Sequence, residues 1–323
     1  MNNEVKIDEL RKEIERLELE LKSLEREKRK AAISVPSERE IAVIEEFEYR
    51  TKNGEVLEPL VEKVDLETFV GSETFERVLG ISEDLAINTA SVRGHEIKFY
   101  TPNLRALWQS YGQEYIEPEL LDFIEAIDDD GVYFDVGAST GVFAIYAAIR
   151  GKKTYCFEPE VTNFNILNTN GYLNFSKVAK KFNAVNIGLS NRFAVDTRFI
   201  RRFEAAAHEK ILGQSKARDG KLVFEPEYEQ RVLTLTMDEF CRLENVQPTD
   251  IKIDVDGAEK ALIEGMKETL SSPKLKRIFF EVSEVEPDSV KALETILEYG
   301  FKVESRKRVQ NYFTEYNYTL VRA

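Results

Sequence analysis

The stretch VYFDVGASTG, residues 132–141, contains the residues of this sequence best suited to chemistry. An apolar run ends at Asp135, a glycine-rich turn follows at Gly137 and Gly141, and a second apolar run begins after it. Glycine permits a tight turn and lets a ligand approach the backbone closely. In a doubly wound sheet such turns lie at the carboxyl ends of strands, where ligands bind. We therefore predict a nucleotide-cofactor site at this turn.

The spacing of the turn and its acidic residue discriminate between cofactors. A dinucleotide site carries G-x-G-x-x-G with the pyrophosphate on a helix N-terminus, whereas this turn reads G-x-x-x-G. Asp135 is poorly placed beside a pyrophosphate but suits S-adenosylmethionine (SAM), which carries an ammonium and a sulfonium and no phosphate. At the end of the next predicted strand, Glu158 can accept both hydroxyls of a ribose. We predict that SAM is bound by residues of these two strand ends: Asp135, Gly137, Ala138, Ser139, Gly141, Glu158 and Pro159.

Strands and helices alternate from residue 132 onward, which predicts an α/β fold with a doubly wound, mostly parallel sheet. The predicted strands are VYFDVG, KTYCFEP, FNAVNIGL, DIKIDVDG and KRIFFEVS, and the predicted helices are 141–149, 160–173, 258–270 and 288–299. FKVESRKR and YNYTLVRA then follow without a helix between them, which indicates a terminal antiparallel strand.

Residues 191–230 interrupt this alternation with mixed, charged sequence and are predicted to be an insertion or lid. The segment contains a local cluster of basic residues in an acidic chain. Arginine binds phosphate through paired donors. We therefore predict that Arg201 and Arg202 contact the acceptor, and that a nucleotide- or lipid-linked sugar would suit them.

Methyl transfer to an alcohol requires orientation of the reacting atoms and a group that removes the proton of the hydroxyl. The segment KIDVDGAE provides acidic residues at a third strand end. Strand alternation directs Asp254 away from the apolar residues, and Lys252 shares its face and can pair with it. We predict Asp254 as the base or as the residue that orients the substrate, with Lys252 beside it. Glu281, at the end of the neighbouring strand FFEVS, is the second candidate.

Asp256 and Glu259 have two interpretations. Their spacing is typical of a helix N-cap and its capping box. Together with Asp254 they offer oxygen ligands for Mg²⁺, but no histidine accompanies them, and we expect no metal. Glu259 is also predicted to contact the acceptor.

The segments VYFDVGASTGVFAIYAA, CFEPE, NIGLSN, LTMDEF and IKIDVDGAEKALIEGM follow one another in an order that resembles the FkbM-type methyltransferases. The resemblance extends over roughly residues 95–323. It implies a class I, Rossmann-like fold with a seven-stranded sheet, SAM as cofactor, and O-methylation of a sugar or natural-product hydroxyl. The family usually has Asn at the position of Ser139 and Glu at the position of Asp256, and both differences are conservative.

Residues 1–33 differ from the rest of the chain. Apolar residues repeat there at spacings of three and four, which is a heptad pattern: Ile7, Leu10, Ile14, Leu17, Leu21 and Leu24. We predict a coiled-coil helix that joins copies of the chain through residues 5–28; a different partner, or packing against the same chain, is the alternative. Residues 34–94 are predicted to be an accessory region with a hairpin and, over residues 64–90, mixed helical structure. Residues 95–323 are predicted to be the methyltransferase domain.

Composition limits the class of protein. Of the 323 residues, 42% are hydrophobic and 32% charged, which is typical of a soluble globular protein. A net charge of −14 disfavours nucleic acid and anionic membranes as partners. Two cysteines and two histidines are too few for a disulfide framework or a cysteine zinc site, and leave little for a histidine metal site. No apolar run approaches a membrane span and no signal sequence is evident, so the predicted location is cytoplasmic.

Three functions compete on the sequence alone. The preferred one is a SAM-dependent O-methyltransferase that acts on a sugar, a glycan or a glycosylated natural product. A nicotinamide-dependent oxidoreductase is disfavoured by the missing dinucleotide motif and by Asp135. A non-catalytic coiled-coil scaffold with a relic methyltransferase fold is disfavoured by the intact set of cofactor residues.

Overall fold

The computed structural model describes residues 49–50, 56–57, 87–201, 206, 210–212, 225–309 and 314–323. The chain divides into two compact units, Met1–Asp84 and Leu85–Ala323. In the first unit, β1 (Tyr49–Arg50) pairs antiparallel with β2 (Val56–Leu57), where the sequence predicts a hairpin. The predicted coiled coil at residues 1–33 lies outside the described residues, as do most of residues 34–84.

The second unit begins with a hairpin and two helices. Strands β3 (Ile87–Val92) and β4 (His95–Tyr100) pair antiparallel. The prediction of mixed helical structure up to residue 90 is therefore wrong for residues 87–90. Helix α1 (Leu104–Ile116) is capped by Asn103, whose side chain accepts a hydrogen bond from the Ala106 N–H, and α2 (Pro118–Glu125) follows directly.

Strands and helices then alternate, as predicted. The first elements in chain order are β5 (Val132–Val136), α3 (Val142–Ile149), β6 (Lys153–Phe157), α4 (Val161–Leu173), α5 (Phe175–Val178) and β7 (Phe182–Val185). These strands are parallel neighbours. β5 and β6 are buried on both faces, which is why most of their residues are apolar.

The described part of the insertion, together with the residues on either side of it, forms a separate sheet of four strands. These are β8 (Gly188–Leu189), β9 (Ala194–Ile200), β10 (Lys210–Leu212) and β11 (Tyr228–Leu235), and their spatial order is β10-β9-β11-β8. The prediction of FNAVNIGL as one strand is wrong, because its two halves belong to different sheets. The chain leaves the main sheet at Asn186, whose side chain donates a hydrogen bond to the Glu158 carbonyl at 2.8 Å.

The remaining elements complete the main sheet. They are α6 (Met237–Leu243), β12 (Asp250–Ile253), α7 (Glu259–Glu264), α8 (Lys267–Ser271), β13 (Arg277–Ser283), α9 (Pro287–Glu298), β14 (Phe301–Arg308) and β15 (Glu315–Arg322). The spatial order of the seven strands is β14-β15-β13-β12-β5-β6-β7, with β15 antiparallel to both neighbours. This arrangement confirms the doubly wound sheet and its terminal antiparallel strand. Strand order reverses between β5 and β12, which is where a doubly wound sheet binds ligands.

The aromatic core packs beneath this reversal. Phe134 of β5 and Phe157 of β6 contact Phe240 of α6 edge-on, with ring centroids 5.9 and 4.8 Å from it. Such packing holds the two strand ends rigidly beside each other. Among the described residues, no helix combines the length and the apolar character needed to cross a bilayer.

Candidate functional site

A cavity of about 470 Å³ opens at the carboxyl ends of β5, β6 and β12. Its volume lies within the range of roughly 300–1,000 Å³ that is usual for small-molecule sites. Carboxylates outnumber bases among the charged residues that line it: Glu117, Asp135, Glu158, Asp254, Asp256 and Glu281 against Arg105, Arg198 and Lys252. This balance favours a cationic ligand over a pyrophosphate.

A buried ion pair joins the two strands on either side of the strand reversal. Asp135 and Lys252 are direct partners across β5 and β12, and they are 1% and 5% exposed. Lys252 Nζ lies 3.2 Å from Asp135 Oδ1 and 3.5 Å from Asp254 Oδ2, and it donates a hydrogen bond to the Gly137 carbonyl at 2.8 Å. The pairing of Lys252 with Asp254 is thus confirmed, whereas its closer contact with Asp135 was not predicted.

Burial and neighbouring charge act in opposite directions on this pair. Burial by itself lowers the pKa of Lys252, but the charges of Asp135 and Asp254 raise that pKa above its ordinary value. Burial also raises the pKa of the Asp135 carboxyl. Because three oxygen acceptors surround the Lys252 ammonium, we assign the pair as ionised. It anchors the glycine turn to the end of β12.

The glycine turn packs tightly on both neighbouring strands. The N–H groups of Gly137 and Ala138 donate to the Phe157 carbonyl at 3.1 and 3.0 Å. Gly137 has a φ of +80°, and a Cβ at this position would lie 1.8 Å from the Asp254 carbonyl oxygen. Only glycine fits there, and its absence of a side chain allows the strand ends to approach each other.

Glu158 is held in a fixed orientation at the end of β6. Its side chain is 3% exposed. Oε2 accepts a hydrogen bond from the Ser139 N–H at 2.9 Å, and Oε1 accepts one from the Glu160 N–H at 2.8 Å. A carboxylate oxygen accepts more than one hydrogen bond, and Glu158 lines the cavity. Apolar side chains complete this part of the wall: Val136, Phe143, Phe157, Ile187, Leu189 and Val255.

Most of the predicted site residues lie together in the cavity. Those lining it are Asp135, Gly137, Ala138, Ser139, Glu158, Pro159, Lys252, Asp254 and Glu281. Gly141 is the exception among the cofactor candidates, because it lies at the start of α3, outside the cavity lining. A Cβ on Gly141 would lie 3.1 Å from Leu167 Cγ, so this glycine allows α3 to pack closely against α4.

The capping prediction after β12 is wrong in part. Ala258, not Asp256, occupies the N-cap position of α7. Asp256 instead has a φ of +45° and lines the cavity. Glu259 is 7% exposed and does not line the main cavity, and its Oε1 accepts a hydrogen bond from the Gly257 N–H at 2.9 Å. Glu259 thus shapes the turn, and the geometry does not support its predicted contact with the acceptor.

Arg201, the one described residue of the predicted arginine pair, does not line the cavity either. Arg201 is exposed just beyond β9 and does not line the cavity, and Arg202 lies outside the described residues. Arg198 of the same strand lines the cavity instead. Arg198 lies within the strand, whereas Arg201 follows its last residue, Ile200.

Glu117 is a cavity residue that was not predicted. It connects α1 to α2 with φ −139° and ψ 64°, outside the helical region. Pro118 explains this conformation, because a residue before proline is disfavoured in the helical region. The dipeptide Glu117–Pro118 was the available sequence signal for a helix break. Its proximity to Asp254 was not accessible from sequence.

Among the described residues, no group of three or more His, Cys, Asp or Glu side chains is arranged to hold a metal ion. The geometry of the cavity therefore adds nothing to the Mg²⁺ alternative.

Residues 135–303, which are more than half of the chain, match the methyltransferase FkbM domain. The chain belongs to the FkbM methyltransferase family. The resemblance predicted from the motifs is confirmed, and with it the assignment as a SAM-dependent methyltransferase. The matched region begins at Asp135 and includes β12, β13 and the turn with Asp254. Family membership excludes the nicotinamide oxidoreductase.

Several solved structures are distantly similar to this FkbM-family chain. Precorrin-6y C5,15-methyltransferase from Geobacter metallireducens is 14% identical with a TM-score of 0.37, over 64% of this chain and 87% of that one. An rRNA methylase from Streptococcus thermophilus is 12% identical with a TM-score of 0.39, over 64% and 95%. Fibrillarin from Aeropyrum pernix in complex with SAM is 9% identical with a TM-score of 0.41, over 73% and 82%. No curated protein matches the sequence.

Proposed function

We propose that this FkbM-family methyltransferase acts on oxygen, transferring the methyl group of SAM to a hydroxyl of a sugar, a glycan or a glycosylated natural product. The observation that carries this proposal is the set of carboxylates at one cavity: Asp254, Glu281 and Glu117. An alcohol must lose its proton during methyl transfer, so a site for alcohols requires a proton acceptor beside the reacting oxygen.

The residues of the cavity fit SAM. Glu158, oriented by two backbone N–H groups, would accept the ribose hydroxyls. The apolar wall with Phe143 and Phe157 would contact the adenine, and the excess of carboxylates suits an ammonium group. Asp135 contributes through its pair with Lys252, which fixes the turn beneath the cofactor. When bound, SAM supplies a methyl group on a positively charged sulfur.

Asp254 is the proposed residue for orientation of the acceptor hydroxyl. Its carboxylate is fixed by Lys252, and its backbone N–H donates to the Val136 carbonyl at 3.1 Å. A carboxylate fixed in this way can accept a hydrogen bond from the hydroxyl and so restrict the direction of its lone pairs. Lys252 is then a positioning residue, since its ammonium is directed at Asp135, Asp254 and the glycine turn.

Arg198 supports an acceptor that carries phosphate or several hydroxyls. It lies on β9 and lines the cavity, and its Nε is buried without a hydrogen-bond partner among the described residues. Arg105 and the half-exposed Trp108, both on α1, line the same cavity. Donors beside an aromatic face suit a sugar ring that carries a phosphate.

A methyl-transfer screen tests this function. The full chain is incubated with methyl-labelled SAM and three acceptor sets: nucleotide sugars, oligosaccharides and lipid-linked glycans. The proposal requires label on a hydroxyl oxygen of at least one acceptor. Label found only on nitrogen, carbon or sulfur would contradict it, as would saturable SAM binding with no transfer to any of the three sets. Parallel titrations with SAM and NAD test the scaffold alternative, because a relic fold would bind neither.

A further inference from the structure

We propose that Glu117 is the base that takes the proton of the acceptor hydroxyl. This inference rests on the proposed O-methylation and assigns to Glu117 a step that the sequence had assigned to Asp254 or Glu281. In this proposal Asp254 orients the hydroxyl of the acceptor, and Glu117 accepts its proton.

The break between α1 and α2 places Glu117 at the cavity. Pro118 is the first residue of α2 and lacks an N–H, so α1 ends before it. The Glu117 N–H still bonds to the Gln113 carbonyl at 3.3 Å, and its carbonyl accepts the Leu120 N–H at 3.1 Å. The backbone of Glu117 is thus fixed from both helices, and its side chain lines the cavity.

Asn317 of β15 donates a hydrogen bond to the Glu117 carboxylate. Its Nδ2 donates to Glu117 Oε1 at 3.1 Å and to Glu119 Oε1 at 3.1 Å, and Asn317 itself is 2% exposed. Asn317 is also the cross-strand partner of Glu281 on β13. A hydrogen bond from a neutral amide orients Glu117 without neutralising its charge, so the carboxylate remains able to accept a proton.

The groups around Glu117 set its proton affinity. Burial raises the pKa of its carboxyl most, and the charges of Asp254 and Glu119 raise it further. The charge of Lys252 and the hydrogen bond from Asn317 lower the pKa, and the net result is a pKa of about 7. The charge of Glu117 in turn contributes to raising the pKa of Tyr133 on β5, after burial and Asp135. A base is most effective when its pKa is near the working pH, and Glu117 meets that condition.

The reaction balances with this assignment. The acceptor oxygen forms a bond to the methyl carbon as the carbon–sulfur bond breaks, and the electrons of that bond remain on sulfur, which becomes neutral. The hydroxyl proton passes to the Glu117 carboxylate, which becomes a neutral acid. The Glu117 carboxyl is buried, but Glu117 lines the cavity, so the proton can leave through the cavity once the product has gone.

A titration of the full chain tests the assignment without any acceptor. NMR spectra are recorded of the wild type and of Glu117→Gln, both labelled with ¹³C at the glutamate carboxyl. The signal that is missing from the variant belongs to Glu117, and its chemical shift is followed with pH in the wild type. We expect its midpoint near 7. A midpoint near the ordinary value of 4.5 would overturn the proposal. Calorimetry must also give Glu117→Gln the SAM affinity of the wild type, because the proposal gives Glu117 no contact with SAM.

Turnover then tests the role of Glu117 with the acceptor identified by the methyl-transfer screen. Glu117→Gln should lower turnover by about 10²–10⁴-fold and abolish the rise in rate with pH around 7, whereas Glu117→Asp should restore part of the rate. Glu114→Gln is the matched control: it removes an exposed carboxylate of α1 that lies outside the cavity lining, and turnover should stay within a few-fold.

The outcomes separate the two proposals. Wild-type turnover in Glu117→Gln would overturn the role of Glu117 and leave O-methylation standing. If the wild-type chain methylates no hydroxyl, both fail together, even when the titration midpoint is near 7.

Discussion

The buried pair of Asp135 and Lys252 is the single-residue feature on which the site depends most. The two side chains lie on adjacent strands where strand order reverses, and both are almost fully buried. Lys252 also contacts Asp254 and the glycine turn, so one ammonium links the ends of β5 and β12. Removing one partner of such a pair leaves an uncompensated buried charge.

Lys252→Met should therefore lower the free energy of unfolding by about 3–5 kcal/mol. The double variant Asp135→Asn/Lys252→Met should recover most of that loss, because it leaves no isolated charge on Asp135. Chemical denaturation of the wild type, the two single variants and the double variant measures the coupling. A Lys252→Met protein as stable as the wild type would show that the pair does not hold the strand ends together.

Glu117→Gln should be more stable than the wild type above pH 7. The pKa of Glu117 rises from 4.5 to about 7 on folding, so the folded state binds more protons than the unfolded state between these values. The stability of the wild type therefore falls as pH rises through this window. Glutamine does not ionise, so the variant does not lose this stability. Melting temperatures recorded above and below the window measure the difference, which should vanish below pH 4.5. Identical pH dependence in the two proteins would contradict the raised pKa.

At the scale of the elements, the site residues at strand ends could be predicted from the sequence, whereas the one at the junction of α1 and α2 could not. Asp135, Glu158 and Asp254 each follow an apolar run, and parallel strands bring their carboxyl ends to one edge of the sheet. Glu117 lies in helical sequence far from Asp254 along the chain, and only the packing of α1 and α2 brings it to the cavity. Its position depends on tertiary contacts such as that with Asn317, which no local pattern encodes.

The insertion shows the same limit. Its strand β9 carries mixed charges and is partly exposed on both faces, so no period of two marks it. The sequence predicted an insertion there but gave the acceptor contact to Arg201 and Arg202 rather than Arg198. The choice between these residues depends on where β9 begins, and its boundary was not predicted.

Pro118→Ala should reduce turnover by up to about 10²-fold without changing SAM affinity. Alanine permits α1 to continue into α2, which would rotate Glu117 away from the cavity, and small displacements of a reacting group have effects of this size. Pro287→Ala is the matched control, since Pro287 begins α9 in the same way and does not line the main cavity. Equal effects of the two substitutions would indicate a general loss of stability rather than a displaced base.

At the scale of the whole molecule, charge is distributed unevenly. Residues 1–33 contain nine basic and nine acidic residues, so the net charge of −14 belongs to the rest of the chain. The cavity shares this acidic character, and Arg198 and Arg105 are local exceptions to it. An acceptor with phosphate would approach an acidic surface and bind only where these arginines lie, which favours selectivity over rapid association.

The heptad pattern of residues 5–28 predicts that the chain self-associates. Six Ile and Leu side chains per copy gain about 1.5–3 kcal/mol each on burial, before the cost of ordering the helix. Leu17→Asp in the full chain should therefore dissociate the oligomer, while Arg16→Asp, which changes a residue outside the pattern, should not. Light scattering measures the mass of each protein. A wild-type chain that is monomeric, or a Leu17→Asp variant of unchanged mass, would contradict self-association through this helix.

The central claim is that SAM binds where strand order reverses, with its ribose on Glu158. Calorimetric titration of the full chain with SAM tests this claim most directly. We predict saturable binding to one site in the wild type. Glu158→Gln should weaken it at least tenfold, since a hydrogen bond to a charged group contributes about 1.5–3 kcal/mol and 1.4 kcal/mol corresponds to a factor of ten. Glu160→Gln changes a buried carboxylate that caps α4 outside the cavity lining, and it should lower stability but preserve SAM affinity. Wild-type affinity in Glu158→Gln, or no binding of SAM to the unmodified chain, would contradict the account.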